Sequence, residues 1–306
     1  MVILAETSRR TRQSKRTAPR QLWIGIVLVA LAWISSWFGP DRAREIAFIP
    51  LWLGYILTVD GIVFIRQGSS LLSRSRREFA LLFLVSAPLW WVFELANIRL
   101  DNWQYIHPYH YSWLHSHIYA SLAFSTVLPA VLETSDLVST TRIRNWGKQW
   151  IRWNLSRTGL MVISAAGALI FAGSLLFPNL LFPFTWVGLF FAFDPINRLR
   201  GFPSMSGRVA KGDWSPVIVF FAAGLICGVF WEMWNFYSMP KWVYSVPYAG
   251  RPKIFEMPLL GYGGYFPFAL ELYAAYHLIR SFILGRVPSR LLIDRDLLEI
   301  DAKDPS

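Results

Sequence analysis

The sequence predicts an all-α polytopic membrane protein of eight transmembrane helices, arranged as two parallel four-helix repeats. Three observations carry this: an apolar composition, the recurrence of apolar stretches long enough to cross a bilayer, and a set of residues that repeats at a nearly constant offset. The 306 residues are 54% hydrophobic, 17% aromatic and 16% charged, with a mean hydropathy of +0.37. That is too apolar for an ordinary soluble chain of this length.

A hydrocarbon core of about 30 Å needs about 20 apolar residues of helix. Eight such stretches follow one another: Leu22 to Phe38, Ile46 to Ile65, Phe79 to Ile98, Ile118 to Val138, Thr158 to Phe177, Leu181 to Asn197, Pro216 to Phe236 and Gly261 to Leu284. With eight crossings, the arginine-rich N-terminus, the three loops "RQGSSLLSRSRRE", "TRIRNWGKQWIRWNLSR" and "NRLRGFPSMSGRVAKG", and the tail from Arg286 all fall on one side. Loops rich in Lys and Arg stay cytoplasmic, so both termini are expected inside a cytoplasmic (inner) membrane. The basic N-terminus lacks a small-residue cleavage site, which reads the first apolar stretch as a retained span.

The net charge of +11 resides in these flanking loops. It implies orientation and attraction to anionic lipid headgroups, and no nucleic-acid partner. Cys227 is the sole cysteine, which excludes an internal disulfide and a thiolate-rich metal site.

The repeat emerges from spacing. Trp52, Gly54, Asp60 and Arg66 recur 134 positions later as Trp186, Gly188, Asp194 and Arg200. Glu94 and Asn97 recur at an offset of 138 as Glu232 and Asn235, and Pro129 and Glu133 at the same offset as Pro267 and Glu271. Trp103, Tyr105, Pro108 and Tyr109 recur at 139 as Trp242, Tyr244, Pro247 and Tyr248. An even number of spans per copy makes the copies parallel, related by an axis along the membrane normal. The organisation is then a basic segment 1–21, a first repeat 22–138, a linker 139–157, a second repeat 158–284 and a tail 285–306, for which a short surface helix is expected.

Among the acids that fall inside spans, six stand out: Asp60, Glu94, Glu133, Asp194, Glu232 and Glu271. Ionised and facing lipid, they would together cost on the order of 15–20 kcal/mol, so they must turn inward, carry a proton or find partners. Glu94 with Asn97, and Glu232 with Asn235, each share a helical face, so the amide is expected to orient the carboxyl group. Trp91, Trp103 and Tyr105 around one pair, and Trp231, Trp234, Trp242 and Tyr244 around the other, are expected to line a substrate cavity. Such walls favour an uncharged acid. The same pairs equally suit a structural role, as hydrogen-bonded glue between helices.

Asp60 and Asp194 precede Arg66 and Arg200 by six residues, which suggests end-of-helix charge pairs or caps. Glu133 and Glu271 follow prolines by four, where a kink would turn the carboxyl toward the cavity and place them beside the Glu/Asn pairs as proton-handling groups. Glu256, in a loop, is a weaker candidate. His107, His110, His115 and His117 crowd one loop in a spacing compatible with a metal, although aromatic and histidine-rich loops are also ordinary at membrane interfaces.

Three segments read in order, "FDPINRLRG", "WEMWNFYSMPKWVYSVPY" and "MPLLGYGGYFPFALELY", resemble the repeated domain of membrane lycopene cyclases of the heterodimeric or fused bacterial and fungal type. The resemblance implies an integral membrane cyclase of a polyisoprenoid that needs no cofactor: a carboxylic acid protonates an alkene, ring closure captures the cation, and a base removes a proton. Glu232 stands at the family's acid-then-tryptophan position, with Glu94 as its repeat mate. Where the family has a proline, an apolar residue and two glutamates, this chain has Pro258, Leu259, Leu260 and Gly261. The rival readings are a proton-coupled transporter, for which parallel repeats and midplane acids also serve, and a non-catalytic lipid-binding protein.

Overall fold

The computed structural model describes residues 17–107 and 111–295. Its helices are α1 (Arg20–Phe38), α2 (Asp41–Gln67), the short α3 (Leu71–Arg74), α4 (Arg76–Leu100), α5 (Trp113–Phe124) and α6 (Val127–Ser139), then α7 (Arg157–Leu176), the short α8 (Pro178–Leu181), α9 (Thr185–Leu199), α10 (Met205–Ala210), α11 (Ser215–Asn235) and α12 (Tyr265–Leu284). Serine starts many of them: Ser75, Ser112, Ser156 and Ser204 accept from a backbone N–H in the first turns of α4, α5, α7 and α10.

Among the described residues, seven helical segments are long and apolar enough to cross a membrane, with α5–α6 and α8–α9 each counting as one. The chain is therefore an all-α, multi-pass architecture. The expected eighth span is a 20-residue helix beginning at Tyr265, after a 3-10 turn over Leu259–Gly264, and it is not among the seven. It carries Glu271, His277 and Arg280, all buried.

Two hairpins cross where glycine permits it. In α1–α2, a Cβ on Gly25 would lie 2.7 Å from the carbonyl oxygen of Gly54, and one on Gly54 2.8 Å from that of Gly25. In α7–α9, a Cβ on Gly167 would lie 2.7 Å from the carbonyl oxygen of Gly188. Small residues at such crossings let backbones approach, which replaces the missing hydrophobic drive between helices in lipid. Helices α2, α4, α6, α11 and α12 contribute most of the interior, with Trp52, Phe93, Phe220, Trp234, Tyr273 and Tyr276 fully buried.

Four expectations are corrected. Pro129 and Pro267 sit at the third residue of α6 and α12, so they start helices instead of kinking them; a proline in a first turn sacrifices an N–H that has no intrahelical partner anyway. Asp60 and Asp194 do not pair with Arg66 and Arg200. Asp60 accepts from the Leu72 backbone N–H at 3.0 Å and from Gln21 at 3.1 Å, and Asp194 from the backbone N–H groups of Met205 at 2.6 Å and Ser206 at 2.9 Å. Each folds back to anchor the short helix that follows, because orphan N–H groups at a helix start are good carboxylate ligands. Third, the tail does not lie wholly on the surface: residues 285–288 are exposed, but Leu291, Leu292 and Ile293 are buried, the Leu292 N–H donates to Asp136 at 2.8 Å, and Arg280 donates to the Val287 and Pro288 carbonyls, while the expected helix beyond residue 295 lies outside the described residues. Beneath it lie the buried pairs Glu78–Arg280 at 3.0 Å and Arg74–Asp136. Fourth, the span expected from Ile118 begins at Trp113 and breaks between Phe124 and Val127.

Removing an acceptor from two buried N–H groups costs more than removing it from one, at about 1–3 kcal/mol per group. Asp194→Ala is therefore expected to lower thermal stability in detergent more than Asp60→Ala, with Asp194→Asn between Asp194→Ala and the parent.

Candidate functional site

Helices α4 and α11 each run into a short strand, β1 (Trp103–Ile106) and β2 (Lys241–Tyr244), and the strands pair antiparallel. The register sets Trp103 against Tyr244 and Tyr105 against Trp242. Each strand is tied to its own helix by an asparagine. Asn97 donates to the Trp103 carbonyl at 2.7 Å and accepts from the N–H groups of Asn102 and Trp103 at 2.9 and 3.3 Å. Asn235 donates to the Trp242 carbonyl at 2.7 Å and accepts from its N–H at 2.9 Å. These amides bind backbone, not the carboxyl three residues away, so the expected Glu–Asn contact is replaced. A primary amide matches an exposed peptide edge donor for acceptor, and each amide orients its carboxyl only through the strand it holds.

The strands return aromatic donors to the acids. Glu94 Oε1 accepts from Trp90 Nε1 at 2.8 Å, Trp103 Nε1 at 3.3 Å and the Tyr105 hydroxyl at 2.6 Å. Glu232 Oε1 accepts from the hydroxyls of Tyr244 and Tyr265, both at 2.7 Å, and Trp242 Nε1 donates to the Tyr244 oxygen at 2.7 Å. Neither acid has a salt-bridge partner among the described residues. Burial, and then the adjacent carboxyl, push the Tyr105 and Tyr244 phenols well above their ordinary values. Both therefore stay protonated at ordinary pH and act as donors.

The second oxygens differ. Glu232 Oε2 is sealed in the interior without a partner. Glu94 is half-buried, its Oε2 makes no hydrogen bond among the described residues, and the residue lines a cavity of about 990 Å³. That volume is at the upper end for sites that enclose a sizeable organic ligand. Trp90, Trp103, Trp186, Trp231, Tyr244 and Phe268 form much of its wall, and Trp91, Tyr105 and Trp242 join them. Glu232 does not reach the cavity; its two tyrosines do.

Trp234, expected to line the cavity, is instead fully buried among Trp33, Trp52, Tyr55 and Phe230. Trp231, three residues earlier on the same side of α11, also packs on Trp52, but it alone of the two reaches the cavity. Glu133, which lies against the Asp60 carboxyl group, and Glu271 are fully buried and do not line the cavity. Glu256 pairs with Lys241 at 2.5 Å.

His110 lies outside the described residues. Among the described residues no group of three His, Cys, Asp or Glu side chains could hold a metal ion. His117 stacks between Trp91 and Trp113, and His115 Nε2 lies 3.5 Å from Glu45 Oε1. His107, His115 and His117 all border the cavity.

Two donors, Trp90 and Tyr265, are not among the residues expected to line the cavity, although Trp90 flanks Glu94 in sequence. Trp90 is four residues before Glu94, a helical neighbour whose indole could have been assigned from spacing. Tyr265 is 33 residues beyond Glu232 and carries no local signal. It fits because the position four before Glu232 is Gly228, where a Cβ would lie 2.3 Å from the Tyr265 ring.

Tyr244→Phe leaves Glu232 one donor and orphans the Trp242 N–H, whereas Tyr105→Phe leaves Glu94 two. Tyr244→Phe is expected to cost about 1–3 kcal/mol and the larger drop in melting temperature in detergent. Comparison with protein-family models, with curated proteins and with solved structures finds no match to this chain, so a functional reading rests on the chemistry of these residues.

Proposed function

We propose that this chain is an integral membrane enzyme that binds a polyisoprenoid chain in the aromatic cavity and transforms it by proton transfer at Glu94, as a terpenoid or carotenoid-type cyclase or a related isomerase does. The observation that carries the reading is the unbonded Oε2 of Glu94 on the wall of a large cavity built mostly of rings.

Glu94, as the acid, gives its proton to a terminal alkene carbon and leaves a cation on the neighbouring carbon. The π electrons of a second double bond close the ring. The glutamate, now a carboxylate held by Trp90, Trp103 and Tyr105, takes a proton from a carbon beside the cation, so no net proton or cofactor is consumed. Ring faces stabilise the cation by about 0.5–2 kcal/mol each, and a wall poor in water prevents its quenching. Glu232 serves as a positioning residue, fixing the Tyr244 and Tyr265 rings.

In this reading the organisation is two parallel four-helix copies with α12 as the eighth span and both termini cytoplasmic. The strand register favours it. Residues 103 and 105 correspond to 242 and 244, and antiparallel pairing of 103 with 244 and 105 with 242 is what a twofold axis between the copies would require. The capping roles of Asp60 and Asp194 match in the same way.

General acid catalysis contributes about 10²–10⁴-fold. With a reconstituted enzyme and linear isoprenoid substrates, Glu94→Gln is expected to lower product formation at least about 100-fold while the substrate still copurifies. Full turnover in that variant would refute the assignment. Proton-driven flux in sealed vesicles without any product would establish the transporter instead.

A further inference from the structure

The protein carries 30 lysines and arginines against 19 acids. Yet the described residues that line the cavity include Glu45 and Glu94 and not one lysine or arginine. The cavity has therefore been kept clear of the charge that dominates the rest of the chain. An anionic headgroup, phosphate or carboxylate, would enter a site with two carboxyl groups and no lysine or arginine on its wall, the nearby Arg42 being engaged by Glu45 at 3.4 Å, and would face a like-charge penalty wherever those carboxyl groups are ionised.

Positive charge meets the opposite surroundings. The indole rings of Trp90, Trp103, Trp231 and Trp242 border the cavity, and indole is the best of the aromatic partners for a cation. Quaternary and tertiary ammonium groups are recognised by such cages because they carry charge on a greasy surface, gain from ring faces and lose little hydration. The Oε2 of Glu94 makes no hydrogen bond among the described residues and, once the carboxyl group has given up its proton to solvent, supplies a counter-charge on the same wall. Three imidazoles are the other lining groups able to become positive. Partial burial lowers that of His107, and His115 is already beside Glu45 at 3.5 Å.

We infer that the cavity is a binding site for lipophilic organic cations: a tertiary or quaternary ammonium group carried on a long apolar chain, seated among the indoles with Glu94 as its counter-ion. This deepens the reading above, in which the same walls hold a transient carbocation, and rests on it in naming the same cavity. It goes beyond it in assigning a stable class of ligand that needs no reaction to be detected.

The test uses the full-length protein in nanodiscs of neutral lipid. Binding of a hexadecyl trimethylammonium ion and of hexadecanol is followed through tryptophan fluorescence and thermal shift, at concentrations below those that perturb the disc. The cation is expected to bind at least tenfold more tightly than the alcohol. Glu94→Gln should erase most of that difference while leaving alcohol binding within about twofold. Retained alcohol binding also reports that the variant is folded. Trp231→Leu, which keeps both carboxyl groups, should weaken the cation several-fold more than the alcohol.

Equal affinity for the two ligands overturns the inference, as does a cation preference unchanged by both substitutions. The two proposals fail separately. If isoprenoid conversion is never found but the Glu94-dependent preference for the cation holds, the cation site stands and the cyclase falls. If conversion is found while alcohol and cation bind alike, the reverse is true.

Discussion

A carboxyl group inside an apolar helix bundle must be solvated by the protein, and here two of them are solvated by neutral ring donors without any cation. The arrangement at Glu94 and Glu232 depends on this. An arginine partner would have offered a stronger single interaction, but it would also have brought a charged fork into the space beside the acid. Indole N–H and phenol O–H donors carry no net charge and present rings to the same space. The strands β1 and β2 exist to deliver those donors, and Asn97 and Asn235 exist to hold the strands. The chain from helix to amide to strand to ring to carboxyl is one continuous hydrogen-bonded construction.

Elsewhere the same chain solves the problem differently, which separates structure from site. Asp60 and Asp194 satisfy backbone N–H groups at the starts of short helices. Glu78 and Asp136 take arginine partners beneath the folded-back tail. Breaking one of these leaves an uncompensated charge, so they hold elements together. Among the described residues, Glu94 alone of the six in-span acids singled out borders the cavity, and its Oε2 makes no hydrogen bond there.

Much of this was legible in the sequence because it is periodic or local. Helix positions followed from apolar length, and Trp91, Trp103, Tyr105, Trp231, Trp242 and Tyr244 fell on the cavity because they flank the acids in sequence. What escaped was long-range. Nothing in a spacing of three distinguishes an amide that binds a carboxyl from one that binds a strand end, as Asn97 does. A tryptophan two residues after an acid on a helix faces away from it, so Trp234 packs into the core while Trp231 meets the cavity. The helix start at Val127 was signalled by Ser125 and Thr126 just before it, but a polar pair inside an otherwise apolar stretch of spanning length does not by itself mark a break, so Pro129 was expected to kink one continuous span.

The pair formed by Gly228 and Tyr265 has a consequence for how the two acids can diverge. On one side the helix carrying the acid supplies its own indole, from Trp90; on the other that place is emptied to a hydrogen atom, and a ring from a neighbouring helix fills it. A self-contained carboxyl keeps its environment when helices shift, whereas one whose donor is borrowed senses any sliding of α11 against α12. In the proposed two-copy arrangement, duplication thus yields one steady acid and one coupled to helix movement, a division of labour reached by trading a single side chain for none.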